Sequence, residues 1–294
     1  SYKYPKAGED NSKVSAWSFD IKSHRIQRLD IPLDADGYMP RILSTDDPDR
    51  IVVYTMNRHQ DVLNLYGVNP RSTVSHLLIK ESVPKYVKEE AMANIRLGKD
   101  YILLPSDRDG YMHLYLYSGT GTLKRKIGDG NYDITNVYGL DEKTGDVYYQ
   151  AAALNAHDRQ IYVSHANGKT ECLTRQEGWN SAVFSGDFQY FVNIWSDYNT
   201  PYVYTTRKND GKIIATDVDN HELKAKIQRY GWAKREAFSF TTSEGIKLDG
   251  WMIKPADFDV SRKYPVIMYQ YGGPGSQQVV NSWSAGSMGQ GGRF

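Results

Sequence analysis

"DYILLPSDRDGYMHLYLYSGTGTLKRKI", Asp100 to Ile127, decides how the rest of the chain is read. The apolar run Tyr101-Ile102-Leu103-Leu104 leads into the polar turn Asp107-Arg108-Asp109-Gly110. The alternating strand His113-Leu114-Tyr115-Leu116-Tyr117 follows, then the glycine-bearing hairpin Gly119-Thr120-Gly121 and a last strand. Three other segments repeat this order: "RIVVYTMNRHQDVLNLYGVNPRSTVSHLLI" from Arg50, "DVYYQAAALNAHDRQIYVSHANGKTECLT" from Asp146, and "YFVNIWSDYNTPYVYTTRKNDGKIIAT" from Tyr190. Their spacing is about 45 residues, a period typical of propeller blades. A weaker strand precedes each unit, as in "NVYGLD" from Asn136 and "SAVFSGD" from Ser181. Four strands joined by tight turns make one blade. "KVSAWSFDIKSHRIQRLDI" from Lys13 reads as the last two strands of a truncated fifth unit. Helical solenoids share such periods. The alternation at period two, punctuated by Gly, Asn and Asp, argues against them.

Near residue 221 the pattern changes. "HELKAKIQRYG" has helical spacing, with Leu223, Ile227 and Tyr230 on one face. "EAFSFTTSEGIKLDGWMIKP" from Glu236 reads as a hairpin around Ser243-Glu244-Gly245. After the polar connector "ADFDVSRKYP", the run "VIMYQY" from Val266 has the continuous apolar character of a strand buried on both faces. The expected fold class is therefore all-β. A partial β-propeller of about four and a half blades occupies residues 1–228, and the first strands of an α/β domain follow in 229–294. An open array exposes two sheet edges. The expectation is self-association through them, or cover of one edge by the tail domain.

Composition narrows the function classes. Lys plus Arg number 36 against 35 acidic residues, a net charge of +1, so no electrostatic case exists for nucleic acid or an anionic membrane. The 23 Tyr, 6 Trp and 8 Phe favour half-buried pleated surfaces. A single cysteine, Cys172, rules out an internal disulfide and a thiolate metal cluster, and it is expected to be a small buried hydrophobe in a final blade strand. No apolar run approaches the roughly 20 residues of a membrane helix. The chain opens at Ser1 without Met or a signal-like segment, so a preceding piece is expected. The seven histidines (His24, His59, His76, His113, His157, His165 and His221) are scattered without ligand spacing, and no metal is expected. His113, inside a repeated strand, is expected to pack. No cofactor is expected either: dinucleotide and phosphate-loop patterns are missing, and "GTGT" from Gly119 joins two strands rather than a strand and a helix. "YMHLYLY" from Tyr111 has no basic surround and reads as an amphipathic strand rather than a platform for nucleic-acid bases.

Lys263-Tyr264-Pro265, the apolar run, and Tyr271-Gly272-Gly273-Pro274-Gly275 resemble the opening of the catalytic domain in the prolyl oligopeptidase family of serine peptidases. With "YPKAGEDN" from Tyr4 and "DRDGYMHLYLY" from Asp107, the chain is most similar to the dipeptidyl peptidase IV branch of that family, in a bacterial form. The prolyl tripeptidyl branch is the alternative. The resemblance implies an α/β-hydrolase domain with a Ser-Asp-His triad, gated by an eight-bladed propeller. It implies substrates that are peptides with proline at the second position, a homodimer, and a periplasmic, cell-surface or extracellular location. Tyr271 matches the family's oxyanion-hole tyrosine, a phenol donor suited to a tetrahedral intermediate. Gly272 and Gly273 would let the backbone turn beside the substrate. Read from its neighbours alone, Tyr271 is equally a strand-end tyrosine whose hydroxyl finds a buried partner.

The nucleophile motif is missing. No Gly-x-Ser-x-Gly occurs in the sequence, and Gly286-Ser287-Met288-Gly289 lacks the spacing. The catalytic Ser, Asp and His are thus expected outside this chain, which would be inactive alone. Glu89-Glu90 mimics the adjacent glutamates with which the family anchors a substrate's amino terminus. In the family that pair precedes the "YPKAG" segment, whereas Glu89-Glu90 follows it, so the anchoring pair is also expected outside the chain. Glu89-Glu90 reads as a solvated turn between blades. The competing class is a stand-alone propeller that serves as a binding or assembly module.

Overall fold

Strand burial shows how the repeat is built. The computed structural model describes residues 6–273 and 275–283. It divides into two units, 1–137 and 138–294.

The first unit opens with the antiparallel hairpin β1 (Trp17–Phe19) and β2 (Ile26–Arg28), the half blade expected from the sequence. A four-stranded sheet follows, paired in chain order: β3 (Tyr38–Ser44), β4 (Ile51–Met56), β5 (Val62–Val68) and β6 (Ser75–Ser82). After α1 (Glu89–Ala93) comes a second such sheet, β7 (Arg96–Leu97), β8 (Tyr101–Ser106), β9 (His113–Ser118) and β10 (Leu123–Ile127).

Inner strands are buried on both faces, and the alternation sorts residues between two cores rather than between core and water. Val52, Tyr54 and Met56 of β4 pack with Ile102, Leu104, Tyr115 and Tyr117 of the second sheet. Val53, from the opposite face of β4, packs with Tyr66 and Val68 against Ala16 and Leu29 of the half blade. The β3–β6 sheet is thus held between the half blade and the β7–β10 sheet, the face-to-face packing of propeller blades.

The second unit repeats the plan. β11 (Ile134–Asp141), which runs across the division, precedes β12 (Asp146–Ala151), β13 (Gln160–Ser164) and β14 (Thr170–Cys172). The fourth sheet is β15 (Trp179–Phe184), β16 (Tyr190–Ser196), β17 (Val203–Lys208) and β18 (Ile213–Val218). Tyr148, Ile161 and Val163 meet Phe191 and Ala182 in the shared core, with Phe184 and Phe188 partly buried against them. Hairpin glycines recur in register. Gly121 and Gly211 occupy the last hairpin of the second and of the fourth sheet, both at positive φ (89° and 85°). Each lies against a carbonyl of the preceding sheet, Leu78 and Leu173 respectively. The fold is a partial β-propeller.

Beyond the fourth sheet the expected helix forms as α2 (His221–Arg229), and the expected hairpin as β19 (Arg235–Thr241) and β20 (Lys247–Ile253). Leu223 of α2 and Tyr230 just after it are exposed, and no α2 residue lies in the core. One reading needs correction. The run Val266–Tyr271 forms no strand, and Val266, Ile267 and Met268 are almost fully exposed. A strand buried on both faces needs a pairing partner on each side, and among the described residues none pairs with this run.

Candidate functional site

The Tyr271 turn is built from its glycines. A Cβ on Gly273 would fall 2.7 Å from the Tyr271 hydroxyl, so the phenol folds over its own turn only because residue 273 has no side chain. Ser276 N–H donates to the Gly273 carbonyl at 3.2 Å, and Gly275 sits at φ 72°. The Tyr271 side chain is exposed, at 57 %, instead of ending an interior strand. Its hydroxyl can donate to an anion arriving from solvent. Pro274 lies outside the described residues, as do Tyr4, Pro5, Gly286, Ser287 and Gly289.

The chain after this turn is anchored. Arg159 is buried, its guanidinium stacked 4.6 Å over the Trp179 ring and donating to the Ala156 and Asp158 carbonyls at 2.9 and 2.7 Å. From that seat it donates to the Gln277 side-chain carbonyl at 2.7 Å. The Gln277 amide donates in return to the Ala156 carbonyl, also at 2.7 Å. Asn281 bridges two inter-strand connections: its Nδ2 donates to Asp158 Oδ1 at 2.8 Å, and its Oδ1 accepts from Tyr198 N–H at 2.9 Å. Asn281 N–H reaches the His157 carbonyl at 2.8 Å, and Trp283 N–H the Ser196 hydroxyl at 3.1 Å.

The receiving loops are preset by short-range bonds. Asn155 Oδ1 accepts from the His157 and Asp158 N–H groups, and Asp197 Oδ1 from those of Asn199 and Thr200. Burial pushes the Tyr198 phenol up to about 12, with Asp158 and Asp249 adding to the rise and Arg235 opposing it, so it stays neutral. Asn199 and Arg235 exchange reciprocal bonds at 2.9 and 3.0 Å, pinning the start of β19. Sequence reading named Tyr271, Gly272 and Gly273 but missed Arg159, Gln277 and Asn281. The bonds that Gln277 and Asn281 make to Ala156, Asp158, Arg159 and Tyr198 span 83 to 123 residues of chain, and polar side chains at such positions carry no local signal.

The remaining candidates separate. Glu89 and Glu90 open α1 in the first unit, both exposed, with Glu89 Oε1 3.6 Å from Arg41 Nη2. They form a short helix where a turn was expected. His113 is buried, with Nε2 3.0 Å from the Gly130 carbonyl. Cys172 is only half-buried, its thiol 3.3 Å from the Thr174 carbonyl and pushed upward by burial. Among the described residues no three His, Cys, Asp or Glu side chains gather as a metal site. A buried network unforeseen from sequence lies in the first unit. The Glu81 carboxylate pairs with Arg108 and Ser106, and Arg108 stacks 4.0 Å over Tyr115. Every guanidinium nitrogen there is engaged with Glu81, Ser106 or Tyr117, which makes the cluster structural.

Comparison with known proteins agrees with this architecture. The family described as dipeptidyl peptidase IV N-terminal region matches residues 1–202. The crystal structure of Porphyromonas gingivalis dipeptidyl peptidase 4 superposes with a TM-score of 0.92 at 36 % identity, covering 99 % of this chain and 42 % of that one. Dipeptidyl peptidase 4 of Arthroderma otae is 26 % identical over 96 % of this chain and 38 % of its own length. That of Trichophyton rubrum is 25 % identical over the same shares. The chain therefore spans about two-fifths of the relatives it matches. Four four-stranded blades in the described residues, a half blade ahead of them and this match across most of the length lead to one conclusion: the chain belongs to the dipeptidyl peptidase IV N-terminal region family.

Proposed function

We propose that this chain is part of a serine peptidase that releases dipeptides with proline in second position from peptide N-termini. In this reading the blades gate access to the active site. Tyr271 donates its phenol to the oxyanion of the tetrahedral intermediate, and Gly272 and Gly273 let the backbone approach the substrate. The catalytic Ser, Asp and His and the glutamates that hold the substrate's amino terminus come from other parts of a longer protein, and the 294 residues alone are inactive. The parent acts as a homodimer in the periplasm, at the cell surface or outside the cell. The reading rests chiefly on the 0.92 TM-score to a dipeptidyl peptidase 4 at 36 % identity over nearly the whole chain. Tyr271, displayed at a glycine turn, supplies a suitable donor.

The test compares the 294-residue chain with the longer protein on Xaa-Pro amide substrates, and labels both with a serine-directed phosphonate. Hydrolysis and labelling are expected only in the longer protein. Tyr271→Phe there should lower kcat by about 100- to 1000-fold, the usual loss for one oxyanion donor. Cleavage and labelling by the short chain would overturn the assignment.

A further inference from the structure

The Tyr271 side chain faces solvent, and a segment fixed to the second unit follows its turn. The first side chain beyond the turn fixed to the propeller is Gln277. We propose that Arg159, Gln277 and Asn281 form a clamp that sets the position of the Tyr271 turn, which makes them positioning residues for the peptidase reaction. This inference rests on the reading of Tyr271 as the oxyanion donor.

Three features give the clamp its stiffness. Arg159 is held by the Trp179 ring and two backbone carbonyls before it meets Gln277, so its donor position is already ordered. Gln277 answers with both ends of its amide, accepting from Arg159 and donating to the Ala156 carbonyl, which fixes its orientation as well as its distance. Asn281 ties Asp158 of the β12–β13 connection to Tyr198 of the β16–β17 connection, so the anchor is shared by two blades of the second unit. Gln277 is six positions along the chain from Tyr271, a leash of about 20 Å when extended. The closed turn from Gly273 to Ser276 shortens it. Loss of the anchor would let the phenol wander, and a misplacement of about 1 Å can cost about a hundredfold in rate.

The test uses the longer, active protein. Gln277 is exposed, so Gln277→Ala is expected to fold. It should lower kcat about tenfold to a hundredfold with KM changed less than about twofold, because the substrate pocket is untouched while the donor loses its place. Amide exchange over residues 266–276 should quicken in the same variant. Tyr271→Phe is measured alongside. If Tyr271→Phe lowers kcat while Gln277→Ala leaves kcat unchanged, the clamp is overturned and the tyrosine reading stands. If Tyr271→Phe is silent, the tyrosine reading fails and exchange alone decides the clamp: faster exchange upholds it, unchanged exchange overturns it.

Discussion

The Gly121 α-carbon lies directly against the Leu78 carbonyl, so a Cβ at residue 121 would occupy the space of that oxygen. The same relation recurs between Gly211 and Leu173, where an added Cβ would fall 2.5 Å from the carbonyl oxygen. In both cases the last hairpin of one blade seats on the final segment of the preceding one. Close approach and positive φ are both required, and only glycine meets both without strain. Gly121→Ala should therefore destabilise the chain by about 2 kcal/mol or more, measured by denaturant unfolding. Gly168→Ala, at an open hairpin tip of similar φ, should cost less because nothing lies within 4 Å of its added methyl. Equal losses at the two sites would show that the backbone angle alone matters.

Phe191 sits in the shared core of the second unit with only 1 % exposure. Its truncation to alanine should cost about 3–5 kcal/mol through lost burial and the cavity left behind. Val183, an outward residue of the neighbouring strand β15, should tolerate alanine within about 0.5 kcal/mol. Thermal unfolding of the two variants separates them.

Arg108→Ala should leave the Glu81 carboxylate buried without its cation. Burial already holds that carboxyl above its usual range despite the arginine. Breaking a buried pair costs about 3–5 kcal/mol, and the lower end is expected because the Arg108 side chain keeps 27 % exposure. Adding Glu81→Leu to Arg108→Ala should recover part of the loss. If the double variant is no more stable than the single one, the stranded charge is not its cause.

At the start of α2, Asp219 Oδ1 lies 2.7 Å from His221 Nδ1. That hydrogen bond, and then the carboxylate's charge, raise the imidazolium above its ordinary 6.5; the same bond, and then the His221 N–H donated to it, lower Asp219 below 3.8. For His221 the folded pKa exceeds the unfolded one, so its contribution is complete below about pH 6.5 and is lost as pH rises through the raised value. For Asp219 the sign is reversed: its contribution is present above about 3.8 and fades as pH falls through the lowered value. An NMR titration should place the His221 midpoint above 6.5, and Asp219→Asn should bring it down. A midpoint that does not respond to Asp219→Asn would rule out the pairing.

The blades were legible because period-two alternation and hairpin glycines are local properties of the chain. The half blade at Trp17, the helix at His221 and the hairpin turn at Gly245 were found for the same reason. The run Val266–Tyr271 was misread because apolarity states a preference for burial, while a buried strand also needs neighbours.

Residue order alone thus established which segments become strands, where the chain turns and how often the unit recurs, since each follows from side-chain stereochemistry within a few neighbouring positions. Folding in three dimensions settled which strand faces meet, that Val52 and Val53 serve different cores, and that Arg159 grips Gln277 across 118 residues of chain. Such pairings depend on shape and on the partners left free after the sheets assemble. No short stretch of sequence contains that information.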